Sequence, residues 1–214
     1  ASYFVLFNAY GQTHTQGLLF HTSLLLSLGS LVFPQLLLVI PFALFAAGVQ
    51  LRALNFSAFM AALIGCLLPY WIYLAVLLAL HGFDWMVLPS QLWEWLPATP
   101  TFAYTSIPLP TWVNYGIVIM PGFVGTAHFF FSSYSDKIRT RQFLYALTVL
   151  QVPIVALTAL YPEQSDVLLP LLIAVYAPMI SHHLTLARGR LADVWFMLCA
   201  VAVTVLTAFQ FFSV

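Results

Sequence analysis

Long apolar runs dominate the chain, and short polar clusters separate them. Residues 58–80 and 191–212 are two clear examples, each about twenty residues long. A transmembrane helix needs about twenty consecutive, mainly apolar residues to cross the hydrocarbon core of a bilayer. A membrane β-barrel would instead show segments of about ten residues with alternating polarity. The pattern therefore predicts an all-α protein built from transmembrane helices.

Seven apolar segments follow one another, and we label them A to G in chain order. To within a few residues they are A 17–33, B 36–50, C 56–80, D 111–131, E 142–160, F 167–184 and G 191–212. A and B are short, so one of them could be re-entrant or interfacial. They meet at Pro34 and Gln35, where the fixed φ of proline favours a tight hairpin. We predict a polytopic transmembrane helix bundle of about seven spans, forming one domain over residues 1–214.

Composition excludes a soluble protein. Hydrophobic residues make up 63% of the chain, charged residues only 6%, and the mean hydropathy is +0.99. A soluble domain carries about 25% charged residues. The net charge is zero and no basic run is long enough to bind nucleic acid. The expected partners are therefore membrane lipid and other membrane proteins.

The basic residues lie in alternate loops between the predicted spans. Loops B–C, D–E and F–G contain all six of them: Arg52, Lys137, Arg139, Arg141, Arg188 and Arg190. The loops between C and D and between E and F contain only acidic charges. Since basic residues favour the cytoplasmic side, this pattern predicts a bacterial inner-membrane protein with those three loops in the cytoplasm and Val214 outside.

The segment between C and D, residues 81–110, is rich in tryptophan and proline. Trp85, Trp93 and Trp95 lie within it, and Trp112 follows. Indole rings favour the headgroup zone of a membrane, because an apolar ring and a polar N–H are both satisfied there. We expect an outer interfacial segment, acting either as an aromatic belt or as a lid over a substrate path.

Histidine is the most informative residue type. The predicted topology places His21, His128, His182 and His183 near the cytoplasmic ends of their spans. Ionisable groups at such depths are costly and usually face the interior of a bundle. We therefore expect His128 to share a polar pocket with His182 or His183, with their rings within about 10 Å, joined by His21 if segment A packs alongside. Two histidines that share one bound metal ion must be at least this close, because metal–nitrogen bonds are only about 2 Å long.

The content of this pocket stays open between a metal ion, a proton and an anionic headgroup, and interfacial packing of the histidines is the alternative. No H-x-x-x-H or E-x-x-H spacing occurs, and no carboxylate lies in the same spans. We therefore assign no metal site, cofactor or catalytic residue.

Two further features bear on function. Pro121 and Gly122 interrupt segment D, where the missing backbone hydrogen bond predicts a bend of more than about 20°. Broken helices are common in transporters but also in ordinary membrane helices. The loop cations are candidates for binding an anionic headgroup, or they act only as topology anchors: Lys137, Arg139, Arg141, Arg188 and Arg190.

Several strings resemble an uncharacterised multi-span inner-membrane protein family of Bacteroidota-type bacteria. They are residues 8–11, 25–31, 51–54, 63–70, 136–141 and 177–183, the last reading Ala-Pro-Met-Ile-Ser-His-His. The resemblance implies further spans before residue 1, which agrees with a first residue that is not methionine and an apolar start. It implies no established activity. Some members are described as carotene-cleaving oxygenases, which use several histidines around iron, and the histidine spacing here does not reproduce such a motif.

Three classes of function remain. The first, which hydropathy, kinked helices and loop cations favour, is a non-enzymatic transporter-like or envelope-assembly component that binds lipid, a lipid-linked precursor or partner helices. The second is an intramembrane histidine-metal enzyme acting on an apolar substrate. The third is a scaffold subunit of a membrane complex.

Overall fold

Every regular element in the described part of the chain is helical, which confirms the predicted all-α class. The computed structural model describes residues 2–80, 104, 107–132 and 137–186, and then Val194, Phe196, Met197, Ala200, Val201 and Thr204. The helices are α1 (Ser2–Phe7), α2 (Gln16–Val32), a 3-10 helix (Pro34–Leu38), α3 (Val39–Val49), α4 (Phe56–Leu80), α5 (Leu109–Ser132), α6 (Ile138–Leu160) and α7 (Ser165–Leu186).

Four of these helices, α4 to α7, are long and apolar enough to cross a membrane. They correspond to predicted spans C to F, and no boundary differs by more than four residues. Spans A and B correspond to shorter apolar helices, Gln16–Val32 and Pro34–Val49. Most of span G and of the outer segment 81–110 lies outside the described residues. The structure thus shows a helical protein with four helices able to span a bilayer.

The connection between α2 and α3 is longer than the two-residue hairpin that we expected. Pro34 begins a 3-10 helix of five residues, which runs on into α3. Proline suits the first helical position, because the N–H that it lacks would have no partner there. The sequence pattern located the turn correctly but did not reveal its helical form.

The described residues divide into two compact units. The first consists of residues 1–101 with 145–160, and the second of residues 102–144 with 161–214. We predicted that residues 1–214 form one domain. That prediction concerns the whole chain, and it stays a prediction.

In the first unit, α2 packs against α4 through small side chains. Four buried positions on α4 recur at helical spacing: Ala58, Ala62, Gly65 and Pro69. A Cβ atom at Gly65 would collide with the backbone carbonyl of Phe20. In membranes, small residues of this kind let helix backbones approach closely, so the α2–α4 contact is close backbone packing.

Hydroxyl groups add hydrogen bonds along this contact. The Ser27 hydroxyl donates to the carbonyl of Cys66 at 2.5 Å, and the hydroxyls of Ser30 and Tyr70 bond to each other. At the start of α2, the Thr15 hydroxyl donates to the carbonyl of Ala53 at 2.6 Å. Partners on α4 advance along the chain as those on α2 do, so the two helices run in the same direction.

The turn between α3 and α4 carries the single basic residue of loop B–C. Arg52 is exposed, and its φ of 51° lies in the left-handed region, which is uncommon for a side chain other than glycine. Asn55 then caps α4, since its side-chain oxygen accepts the N–H of Ala58 at 2.7 Å. Such caps satisfy backbone donors that have no partner in the first turn of a helix.

Candidate functional site

Two glycines bring α5 and α7 of the second unit into close contact. A Cβ atom at Gly122 would overlap the ring of Tyr176. A Cβ atom at Gly125 would lie 2.8 Å from the carbonyl oxygen of Met179. Contacts rise together along both helices, so α5 and α7 run parallel. Successive membrane spans run in opposite directions, so predicted spans D and F should run in the same direction, as α5 and α7 do.

The same helix contact brings two histidines together one turn further on. The ring centroids of His128 and His183 lie 4.5 Å apart, with an angle of 65° between the ring planes. This confirms the prediction that His128 lies close to one of the two histidines on span F. His182, the neighbour of His183, instead places its ring edge-on to Phe129 at 6.0 Å. The structure therefore selects His183 as a contact of His128.

Burial of the histidine pair is partial, but one polar atom is enclosed. Both His128 and His183 are half-buried. The Nδ1 atom of His183 is buried and has no hydrogen-bond partner. Buried polar atoms in native proteins are nearly always hydrogen-bonded, to protein or to another molecule. This nitrogen is therefore an unsatisfied polar atom at the contact between α5 and α7.

The histidine pair lies close to the ends of both helices. His128 precedes the last residue of α5 by four positions, and His183 precedes the last residue of α7 by three. At a rise of 1.5 Å per residue, the pair is about 5 Å from the helix ends. If α5 spans a bilayer, it is only slightly longer than a 30 Å hydrocarbon core requires, and the rings would lie near the edge of that core.

An apolar cavity of about 540 Å³ follows α7 in this unit. On α7 it is lined by Ile173, Tyr176, Ala177, Ile180 and Leu184. On α5 it is lined by Ile117, Val118 and Pro121, and beyond α7 by Phe196, Ala200 and Thr204. Its volume is within the range of small-molecule sites, about 300–1,000 Å³.

The cavity and the helix contact occupy adjacent stripes of α7. Tyr176, Met179 and His183 face α5, and Tyr176 also lines the cavity. Ala177, Ile180 and Leu184, each the next residue along the chain, line the cavity. The cavity therefore runs beside the helix contact, and on α7 its lining extends to Leu184, the residue after His183. Sequence reasoning missed it because α7 is apolar all round, so its pattern does not distinguish a lining residue from one that faces lipid.

His21 belongs to the first unit. It lies on α2, its side chain is exposed, and its ring is 5.4 Å from that of Phe20. Its membership of a pocket with His128 stays a prediction.

The headgroup candidates lie around the start of α6. Lys137 and Arg139 are exposed, and Arg141 is half-buried. The guanidinium carbon of Arg139 lies 5.3 Å from the centre of the Phe143 ring, a cation–π contact. Arg188 and Arg190 lie outside the described residues. Anionic headgroup binding by these cations stays a prediction.

Metal binding was left open by the sequence. Within the described residues, no group of three or more His, Cys, Asp or Glu side chains is arranged to hold a metal ion. Catalytic zinc sites usually use three protein ligands and structural sites four. The histidine pair alone therefore supplies at most part of such a site.

Comparison of the chain with protein-family models, with curated proteins and with solved structures finds no match. The resemblance described above stays an expectation.

Proposed function

We propose that this protein is an integral component of a bacterial inner membrane, transporter-like or serving envelope assembly, that binds a lipid or lipid-linked precursor against α5 and α7. The observation that carries the proposal is the 540 Å³ apolar cavity, whose lining on α7 extends to Leu184, the residue after His183 of the histidine contact. A site with apolar walls and a few polar groups at one end is the usual form of a binding pocket. It matches a molecule with a hydrocarbon chain and a polar end.

The length of the cavity supports a chain from one leaflet. Its lining follows α7 from Ile173 to Leu184, a rise of about 16 Å. This is close to half of the 30 Å hydrocarbon core. Ile173 and Ala177 are also exposed, so the cavity opens sideways, as entry of a chain from the bilayer requires.

The proposal includes the seven-span topology, with loops at Arg52, at 137–141 and at 188–190 in the cytoplasm and the segment 81–110 at the outer surface. Its support is the segregation of basic residues together with the parallel directions of α2 with α4 and of α5 with α7. In a seven-span chain, spans A and C share one direction, and spans D and F share the other. The histidine end of α5 and α7 is then cytoplasmic.

Filling the cavity tests the function. We expect the purified protein to carry lipid that native mass spectrometry detects, and Ala177→Trp to remove that lipid because the indole occupies the cavity. Ala75→Trp is the matched control, since Ala75 is also an exposed helical alanine but lies on α4 in the first unit. Lipid that stays bound to Ala177→Trp at the level of the control would refute the proposal.

A histidine-metal enzyme is the second candidate, and the His128–His183 contact is the observation that favours it. Two imidazoles on one zinc ion, at bonds of about 2.0–2.1 Å, have ring centres about 5 Å apart. The observed 4.5 Å is close to this separation. Elemental analysis of the purified protein tests this candidate: one metal ion per chain, absent from His128→Ala and His183→Ala, is the result that it requires.

A further inference from the structure

We propose that His128 and His183 bind the headgroup of the molecule in the cavity, and that this headgroup is an anionic phosphate. The inference rests on the proposed lipid-binding function and specifies its ligand: a phosphate-bearing lipid whose chain lies along α7.

The first argument is placement. Leu184 is the last residue of α7 that lines the cavity, and His183 precedes it in the chain. A chain that fills the cavity from Ile173 onward therefore ends at Leu184, one residue beyond His183 on α7. The rings also lie near the edge of the hydrocarbon core, the depth at which the headgroup of a lipid begins. A lipid can therefore place its hydrocarbon chain in the cavity and its headgroup at the histidines at the same time.

The second argument is hydrogen bonding. A neutral imidazole has one N–H donor and one acceptor nitrogen, so the His183 ring can donate a hydrogen bond without carrying a charge. Both rings are only half-buried, so part of each is open to a ligand. A phosphate oxygen accepts such bonds, and hydrogen bonds to a charged group contribute more than neutral ones. The pair is therefore suited to recognising an anion.

The third argument distinguishes a phosphate from a metal ion. A metal would need further protein ligands, and the described residues supply no group of three. A phosphate needs donors only. The charged side chains described next along the chain after α5, Lys137 and Arg139, are cationic and exposed, so they favour an anion approaching from this end.

The experiment compares two probes with the same chain, oleoyl-lysophosphatidate and monooleoylglycerol, of which the first carries the phosphate. Binding to the full chain in nanodiscs is measured by native mass spectrometry. We expect the phosphate probe to bind at least about tenfold more tightly, which corresponds to about 1.4 kcal/mol. In His128→Ala/His183→Ala this preference should fall to near unity, while binding of monooleoylglycerol is unchanged.

Two variants guard against a folding defect. His183→Gln keeps an N–H donor and should retain part of the preference. His14→Ala, an exposed histidine before α2, should retain all of it. Excess inorganic phosphate should leave the phosphate probe bound, since the chain supplies most of the affinity; its displacement would show a site for free phosphate and refute a lipid headgroup.

Failure of this inference is distinct from failure of the proposed function. If both probes bind, and Ala177→Trp removes both, but the double histidine variant keeps the phosphate preference, the cavity stands and the histidine role is overturned. If Ala177→Trp binds both probes as the wild type does, the cavity itself is not the lipid site. The protein could instead show no preference for the phosphate probe and bind zinc that the double histidine variant does not bind. That result would overturn the inference in favour of the metal enzyme.

Discussion

Gly125 lies directly against the backbone of Met179, with no room between them for a side chain. A Cβ atom at position 125 would be 2.8 Å from the carbonyl oxygen of Met179 and 3.0 Å from its carbonyl carbon. Real Cβ atoms essentially never come within 3.0 Å of such an atom, and backbone cannot move aside as a side-chain tip can. The helix contact that positions His128 against His183 therefore depends on glycine at this position.

Replacing Gly125 should loosen the second unit. We expect Gly125→Ala to lower the free energy of unfolding by about 1–3 kcal/mol, the usual cost of overpacking, and to lower the thermal midpoint measured by circular dichroism in detergent. Gly116→Ala is the matched control on the same helix, because a Cβ atom there meets nothing within 4 Å. Equal midpoints for the two variants would contradict the close contact of α5 with α7.

The bond between Ser30 and Tyr70 should contribute measurably to the packing of α2 on α4. Hydrogen bonds between membrane helices contribute about 0.6 kcal/mol on average and up to about 1.7 kcal/mol. A double-mutant cycle with Ser30→Ala and Tyr70→Phe isolates this bond, and we expect a coupling energy in that range. The two variants would be strictly additive if the hydroxyls did not interact in the membrane.

The cap of α4 offers a third test in the first unit. Because the Asn55 side chain accepts the N–H of Ala58, Asn55→Ala should destabilise the helix start by about 1 kcal/mol. Asn55→Asp, which keeps an acceptor oxygen, should restore most of the loss. Ser57→Ala is the control, since Ser57 is exposed in the first turn of the same helix. Identical midpoints for Asn55→Ala and Ser57→Ala would show that the cap is not stabilising.

The positions of the long helices could be predicted from the sequence, because a helix that crosses a bilayer needs an apolar run of about twenty residues. Span C was predicted at 56–80 and α4 occupies Phe56–Leu80. The start of α6 was placed four residues late, at 142 in place of 138, because Arg139 and Arg141 are polar enough to hide a helical turn in a hydropathy profile. Charged residues mark the end of an apolar run, but the helix itself can continue beyond them.

Only part of the candidate site could be predicted from the sequence. Depth counting from the loop charges brought His128 level with the histidines on span F, and the contact at 4.5 Å confirms it. The choice of His183 over His182 depends on rotation about the helix axis, which Gly122 and Gly125 fix by their contacts with Tyr176 and Met179. The bend predicted at Pro121 stays a prediction, and α5 is a continuous helix through that residue.

Membrane orientation is the prediction on which the site's biology depends. Thr140 is exposed in the first turn of α6, beside Arg139 and Arg141, and these basic residues predict that the turn lies in the cytoplasm. In a variant lacking Cys66 and Cys199, a cysteine introduced by Thr140→Cys should therefore be shielded from an impermeant thiol reagent in intact cells and should react after lysis. Ser90→Cys, in the predicted outer segment, should react in intact cells. The opposite pattern would place the histidine end of α5 and α7 outside, so a phosphate-bearing lipid would have to come from the outer leaflet. Labelling at both positions in intact cells would instead show that the number of spans between them is even, because an even number of crossings returns the chain to the side from which it started.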